Sequence, residues 1–211
     1  MDIPSKTKIT ALVLQEFARS ANQRYVPVAV SNRHVHLCIK DIETLFGKGY
    51  QLNFIKDLVQ PGQFVTKEVV TLTGPKGSIE NVRVLGPARD KTQIEISITD
   101  SYKLGIEPMV RMSGDTERTP GCKISTQSAV VKAEQGVIVS ARHLHISPEQ
   151  AKDFKLSDGQ KIKLQSEGIR TTLFENVIVR CGAGHFLEVH LDMDEANASG
   201  IRSGDFLKIV T

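Results

Sequence analysis

The sequence predicts a mainly β protein: two related β-barrel domains with short capping helices, preceded by an N-terminal amphipathic helix. Three observations predict it. Beyond Val28 the apolar residues recur mostly with a period of two, in short runs; Gly, Pro and Asn turn signals break these runs at regular intervals; and one ten-residue segment occurs twice.

The elements follow in chain order. Ile9, Leu12, Val13 and Phe17 recur at helical spacing among good helix formers without Gly, so the first segment reads as a short amphipathic helix, and Gln23-Arg24-Tyr25-Val26-Pro27 switches the pattern to extended. Such a helix either docks on its own domain or serves as a detachable address for a partner. A second helix is expected over Lys40 to Phe46, ending at Gly47. Strands follow at Glu68–Thr73, Val82–Leu85, Gln93–Ile98 and Phe186–Leu191, with a turn at Gly74-Pro75-Lys76-Gly77 between the first two. Ser147-Pro148-Glu149-Gln150 carries a cap, a proline suited to the first helical turn and the partner for a capping box. A last helix is expected from Asp194, read as its N-cap, to about Ala198, stopped by Gly200.

The repeat organises the chain. Val28-Ala29-Val30-Ser31-Asn32-Arg33-His34-Val35-His36-Leu37 recurs as Val137-Ile138-Val139-Ser140-Ala141-Arg142-His143-Leu144-His145-Ile146, and both copies precede a short helix. A duplicated unit is implied, with two copies facing one another across a pseudo-twofold axis. Many short strands with regular breaks favour barrels or sandwiches over a βαβ fold, and two related barrels are the simplest architecture.

Composition excludes several classes of function. The 211 residues carry 27 basic and 24 acidic side chains, a net charge of +3, without a Lys/Arg run, so neither nucleic acid nor a membrane surface is an expected partner. Cys38, Cys122 and Cys181 are widely spaced and form no CxxC pair, which argues against a disulfide framework and for a reducing cytosol. No apolar run approaches the roughly 18 residues of a membrane span, and no secretory pattern opens the chain. GxxxxGK[ST] and GxGxxG are both absent, leaving nucleotide hydrolases and dinucleotide folds without support.

The histidines carry the chemistry. On a strand, residues i and i+2 share a face, so His34 with His36, and His143 with His145, can each offer two imidazole nitrogens to one ion. A lone HxH is more often a polar strand edge; two copies in one VxVSxRHxH frame reverse that preference. Glu95, on the polar face of its strand with Gln93 and Ser97, is either a further ligand or a solvated carboxylate, and His190, on one face with Glu188 and Asp192, is either ligand or surface. His185 receives no role. Cys38 follows His36 at the same spacing, but its counterpart in the second copy is the helix cap Ser147, which favours a packing residue. Asp192, Asp194 and Glu195 do not complete a calcium loop. Arg89, Arg111 and Arg180 stand in turn-rich contexts from which a guanidinium can be aimed at an anion, and Met112-Ser113-Gly114 adds a hydroxyl and backbone N–H groups.

Together, Val30-Ser31-Asn32-Arg33-His34-Val35-His36-Leu37, Leu58-Val59-Gln60-Pro61-Gly62-Gln63, Val84-Leu85-Gly86-Pro87-Ala88-Arg89, Arg111-Met112-Ser113-Gly114, Ala141-Arg142-His143-Leu144-His145 and Asp194-Glu195-Ala196-Asn197 resemble the PduL-type phosphate propanoyltransferases (phosphotransacylases) of bacterial microcompartments, in order from about residue 25 to the C-terminus. The resemblance implies two β-barrels interleaved in sequence, residues 25–32 plus 141–211 forming one and 33–140, with an inserted hairpin, the other, behind a segment 1–24. It implies two zinc ions where the barrels meet, one on His34, His36 and Glu95 and the other on His143, His145 and His190. Arg89 would hold phosphate, supported by Gln60, Gln93, Ser113 and Arg180.

The implied reaction converts a short-chain acyl-CoA, propanoyl- or acetyl-CoA, and phosphate reversibly into acyl-phosphate and coenzyme A, regenerating coenzyme A. The implied location is the lumen of a bacterial microcompartment within the cytoplasm, reached through contacts of the N-terminal helix with shell or core proteins, and a homo-oligomer is expected. Two rival readings remain at this stage: a zinc-dependent thioester or ester hydrolase, and a non-catalytic, metal-stabilised scaffold barrel.

Overall fold

The computed structural model describes residues 24–210 together with Val13. The N-terminal helix, the segment 1–24 and the address it would carry lie, but for Val13 and Arg24, outside the described residues. The predicted mainly β class holds. In chain order the elements are β1 (Tyr25–Ser31), β2 (His34–His36), α1 (Ile39–Phe46), β3 (Phe54–Asp57), β4 (Phe64–Thr73), β5 (Ser78–Gly86), β6 (Gln93–Glu95), α2 (Ile98–Leu104), β7 (Val110–Arg111), β8 (Cys122–Ser125), β9 (Val130–Ala133) and β10 (Val137–Ser140). There follow β11 (His143–Ile146), α3 (Pro148–Phe154), β12 (Lys161–Gln165), β13 (Leu173–Cys181), β14 (Glu188–Asp192), α4 (Met193–Ser199) and β15 (Phe206–Val210). Among the described residues no helix is long and apolar enough to cross a membrane.

The chain divides into two compact units. Unit 1 takes residues 24–31, Val59–Pro61 and 141–210; unit 2 takes Asn32–Leu58 and Gly62–Ser140. Unit 1 is a closed barrel in the order β1-β14-β11-β13-β12-β15. Unit 2 is a nine-stranded sheet in the order β7-β10-β6-β2-β5-β4-β8-β9, with β3 paired to β4. Each unit has its own apolar core: Val26, Val28, Leu144, Leu164, Val177 and Leu207 in unit 1, and Val35, Leu37, Leu72, Val84, Ile94 and Ile124 in unit 2.

The repeat is visible in the strand pairing. β2 runs antiparallel to β6 and parallel to β5, while β11 runs antiparallel to β14 and parallel to β13. The strand that leads each copy pairs elsewhere: β1 lies parallel to β14, in unit 1, and β10 lies parallel to β6, in unit 2. The duplication extends beyond the ten residues that announce it in the sequence. Glu80-Asn81-Val82 in β5 and Glu175-Asn176-Val177 in β13 share one local conformation, each asparagine at φ 57°, and both hairpins shift register in these strands. A bulge needs a residue that tolerates the left-handed region, and asparagine does so better than most.

Among the described residues, α2, α3 and α4 each open on a capping box, whereas Cys38 at the start of α1 makes no side-chain cap bond. Ser147 caps α3 in a capping box with Gln150, as the sequence predicts. Two expectations are corrected. Residues 93–98 do not form one strand: β6 stops at Glu95, and Ser97 caps α2 in a reciprocal box with Asp100. That Ser-x-x-Asp signal competes with the alternating isoleucines and prevails, because Ile94 and Ile96 are buried while Ile98 emerges onto the helix. In α4 the cap is Asp192 rather than Asp194, since the Asp192 carboxylate accepts from the Glu195 N–H at 2.8 Å and Glu195 returns a bond to the Asp192 N–H.

Candidate functional site

The unit 2 cluster starts from the position of β2 between β5 and β6. His34 stands opposite Glu95 and His36 opposite Gln93, so strand alternation brings both imidazoles to one face with the carboxylate and the carboxamide. All four residues are buried, which removes the polar-edge reading of this HxH. The His34 Nδ1–H donates to the Asn32 carbonyl at 2.8 Å, and its Nε2 lies 3.6 Å from Glu95 Oε1. Gln93 Nε2 donates to Glu95 Oε1 at 2.6 Å and to Ser113 Oγ at 2.9 Å, and the Gly114 N–H donates to Gln93 Oε1 at 2.7 Å. The Ser113 hydroxyl donates to Glu95 Oε1 at 3.1 Å.

Arg89 completes this cluster. Its backbone N–H donates to the Leu37 carbonyl, while Nη1 donates to Ser113 Oγ at 3.2 Å and Nη2 to His36 Nε2 at 2.8 Å. A guanidinium only donates, so His36 Nε2 is an acceptor here. Burial, reinforced by the charges of His34 and Arg89, pushes the His36 pKa down to about 3. Burial also opposes charge on His34 and Glu95, yet their mutual attraction outweighs it: His34 is raised and Glu95 is held well below the usual carboxylate range.

Unit 1 repeats the plan with different residues. His143 stands opposite His190 and His145 opposite Glu188 across β11 and β14. The His143 Nδ1–H donates to the Ala141 carbonyl at 2.8 Å, as His34 does to Asn32, and its Nε2 lies 3.2 Å from His145 Nε2. The His190 ring centroid is 5.0 Å from those of both His143 and His145. Burial first, then the neighbouring His190 and His143, push His145 down to about 2, and its Nδ1 is buried without a hydrogen-bond partner. Glu188 Oε2 lies 3.0 Å from His190 Nε2.

In both units the three residues cluster as a group that could hold a metal ion. In each, the three donor atoms lie within 4.8 Å of one another. Four-coordinate zinc with Zn–N of about 2.0–2.1 Å sets its ligand atoms about 3.3 Å apart; the 3.2 Å between the His143 and His145 nitrogens and the 3.6 Å between His34 and Glu95 bracket that spacing. The donor sets fit zinc, and imidazoles held by backbone carbonyls through their other nitrogen are the usual support of a metal-ligating histidine.

Of the expected anion-binding residues, Arg89, Gln93 and Ser113 come together in unit 2, whereas Gln60 and Arg180 belong to unit 1. Gln60 is buried, donates to the Phe186 carbonyl at 3.0 Å and accepts from the Phe186 N–H at 3.3 Å. Arg180 faces His145 across β11 and β13, and its charge contributes to the lowered His145 pKa. Arg111 makes a half-exposed ion pair with Asp115 at 3.7 Å. Cys38 is the N-cap residue of α1, the place Ser147 holds before α3, and the strand does not continue to it as a third ligand position.

Two neighbours were not assigned from sequence. The His185 ring lies 4.6 Å from that of His145 and donates through Nδ1 to the Arg180 carbonyl at 3.0 Å. A Cβ on Gly182 would come within 2.8 Å of the His185 ring, so a larger residue there would displace the ring. Glu188 was not legible, because the ten-residue repeat does not reach these strands and only cross-strand register equates Gln93-x-Glu95 with Glu188-x-His190.

The fold and site define the class: a duplicated β structure with a histidine-and-carboxylate cluster in each unit and an arginine beside each, Arg89 in unit 2 and Arg180 in unit 1. The phosphate propanoyltransferase family matches residues 27–202, and the chain belongs to that family. It is 50% identical over 184 residues to a phosphate propanoyltransferase of Thermotoga maritima, covering 87% of this chain and 88% of that one. It is 43% identical over 202 residues to one of Clostridioides difficile, covering 96% and 97%, and 46% identical over 191 residues to one of Citrobacter koseri, covering 90% of each. The protein is an acyltransferase enzyme, and the resemblance seen in its motifs holds.

Proposed function

We propose that this enzyme transfers a short acyl group, propanoyl or acetyl, between coenzyme A and phosphate, and that zinc is its metal. One observation carries the reading: in unit 2 the guanidinium of Arg89, the amide of Gln93 and the hydroxyl of Ser113 converge beside the His34, His36 and Glu95 donors, putting anion-binding groups against a metal-ligand set. His34, His36 and Glu95 would hold one ion, and His143, His145 and His190 the other. Zinc there would supply a Lewis acid for the thioester oxygen and a soft partner for the departing sulfur.

Arg89 orients phosphate and offsets its charge as a phosphate oxygen attacks the thioester carbon. The new C–O bond forms, the C–S bond breaks, and the electron pair leaves on the coenzyme A thiolate. Gln93 and Ser113 hold the guanidinium and the Glu95 carboxylate in place. In unit 1, Arg180 beside His145 is a further anion-binding group, and Gln60 fixes the Phe186 backbone. Transfer is direct and needs no acyl-enzyme, so Cys38→Ala retains most acyl-phosphate formation, and an acyl-thioester isolated on Cys38 would overturn this.

The deciding assay follows thiol release from acetyl-, propanoyl- and butanoyl-CoA, with and without phosphate, before and after chelation. Thiol release that requires phosphate and is abolished by chelation is expected; release in its absence would support a hydrolase. Regeneration of coenzyme A inside a bacterial microcompartment is the cellular role we propose, resting on the apolar pattern of Ile9, Leu12, Val13 and Phe17. Residues 1–24 fused to a fluorescent protein should enter such compartments, and diffuse fluorescence would count against that role.

A further inference from the structure

The two clusters differ most in the residue beside the third ligand. Across β2 and β6 the pairs are His34 with Glu95 and His36 with Gln93; across β11 and β14 they are His143 with His190 and His145 with Glu188. His190 therefore occupies the place of Glu95, and Glu188 that of Gln93. Both flanking residues are buried, at 8% and 2% exposure, and each bonds to the third ligand two residues on along its own strand.

The direction of that bond reverses. In unit 2 the Gln93 amide donates to the Glu95 carboxylate at 2.6 Å. In unit 1 a carboxylate lies 3.0 Å from His190 Nε2 and can only accept from it. An imidazole that gives its Nε2–H to a carboxylate retains the lone pair on Nδ1, and such a partner fixes tautomer and ring orientation. Burying a carboxylate beside three imidazoles is costly unless it is bonded, and Glu188 is bonded twice, since Gln60 Nε2 approaches its Oε2 at 3.4 Å while fixing the Phe186 backbone.

We propose that Glu188 is the positioning residue of the unit 1 cluster: it holds His190 in one tautomer and one orientation as a ligand, with Gln60 steadying Glu188, and it is the counterpart of Gln93 matched in polarity to an imidazole. The proposal rests on the reading of His143, His145 and His190 as a metal set, but the tautomer it assigns exists without metal.

The test uses the full chain with His34→Ala and His36→Ala, so that only the unit 1 set is counted, alone and combined with Glu188→Gln or Glu188→Ala. Zinc affinity is measured by competition with a chromophoric chelator, cobalt-loaded spectra are recorded at saturation, and the His190 tautomer is read by nitrogen-15 NMR on metal-stripped protein. Glu188→Ala should weaken zinc about 10- to 100-fold. Glu188→Gln, which keeps an acceptor oxygen and the side-chain shape, should weaken it less. Saturated cobalt spectra should match across the three proteins, and His190 should be Nε2–H in the parent and mixed in Glu188→Ala. Unchanged zinc affinity in Glu188→Ala would overturn the proposal, as would a changed cobalt coordination, which would make Glu188 a direct ligand. An Nδ1–H tautomer in the parent overturns it whether or not metal binds, whereas failure of the parent to bind zinc while His190 is Nε2–H removes the metal reading alone.

Discussion

At the scale of single residues, Arg89 and His36 share one bond that sets two functions against each other. The guanidinium takes the His36 Nε2 lone pair, which an ion bound at that nitrogen would also need. Replacing Arg89 with Ala should therefore raise the phosphate KM by about 10- to 100-fold, the equivalent of losing a charge-assisted bond worth about 1.5–3 kcal/mol, without lowering metal content at this cluster. Steady-state kinetics at varied phosphate, with metal analysis of the same samples, checks both halves. The buried histidines also set a pH dependence for the metal-stripped protein. His36 and His145 titrate at about 3 and about 2 when folded and near 6.5 when unfolded, so below about pH 6.5 the unfolded chain takes up protons that the folded chain refuses. Their contribution to stability is full above pH 6.5 and falls away as pH drops toward 3. The raised His34, Asp192 and Glu195 act in the opposite sense, while the lowered Glu95 and Glu68 add to the loss at the acid end. Thermal melting of chelated protein between pH 7 and pH 4 should show a falling Tm.

At the scale of elements, the second repeat in the structure is the informative one. Asn81 and Asn176 sit at φ 57° in equivalent strands, where a Cβ-branched or alanine side chain is disfavoured. Asn176→Ala should cost about 1–2 kcal/mol, and Asn176→Gly should cost less, as measured by urea unfolding. The ten-residue repeat was legible because its histidines and arginine are rare residues in a rare order. Glu-Asn-Val is made of common residues, and it becomes a repeat only when the strands are seen to bulge alike. The same competition explains α2: alternation of Ile94, Ile96 and Ile98 favours a longer strand, while the reciprocal Ser97–Asp100 box starts a helix, and local capping decided the boundary.

At the scale of the whole molecule, interleaving makes a short N-terminal strand indispensable to the barrel. β1 pairs with β14 on one side and β15 on the other, and Val26 and Val28 enter the unit 1 core. Burying two valines is worth about 1.5–3 kcal/mol each, against a total stability of about 5–15 kcal/mol for a domain. A chain beginning at Asn32 should lose cooperative melting of unit 1 and aggregate through two open strand edges, which calorimetry and size-exclusion chromatography would detect; a wild-type melting profile would contradict the role of β1. By itself the sequence determined the mainly β class, the duplication, the four motif histidines and the start of α3, because period-two burial, repetition and capping are local properties. The residues by themselves left Glu95 and His190 open, and tertiary structure brings them to His34 and His36 and to His143 and His145, and it alone decided that Glu188 stands where Gln93 stands. Those meetings depend on cross-strand register, in which one residue of slip would turn each side chain to the opposite face.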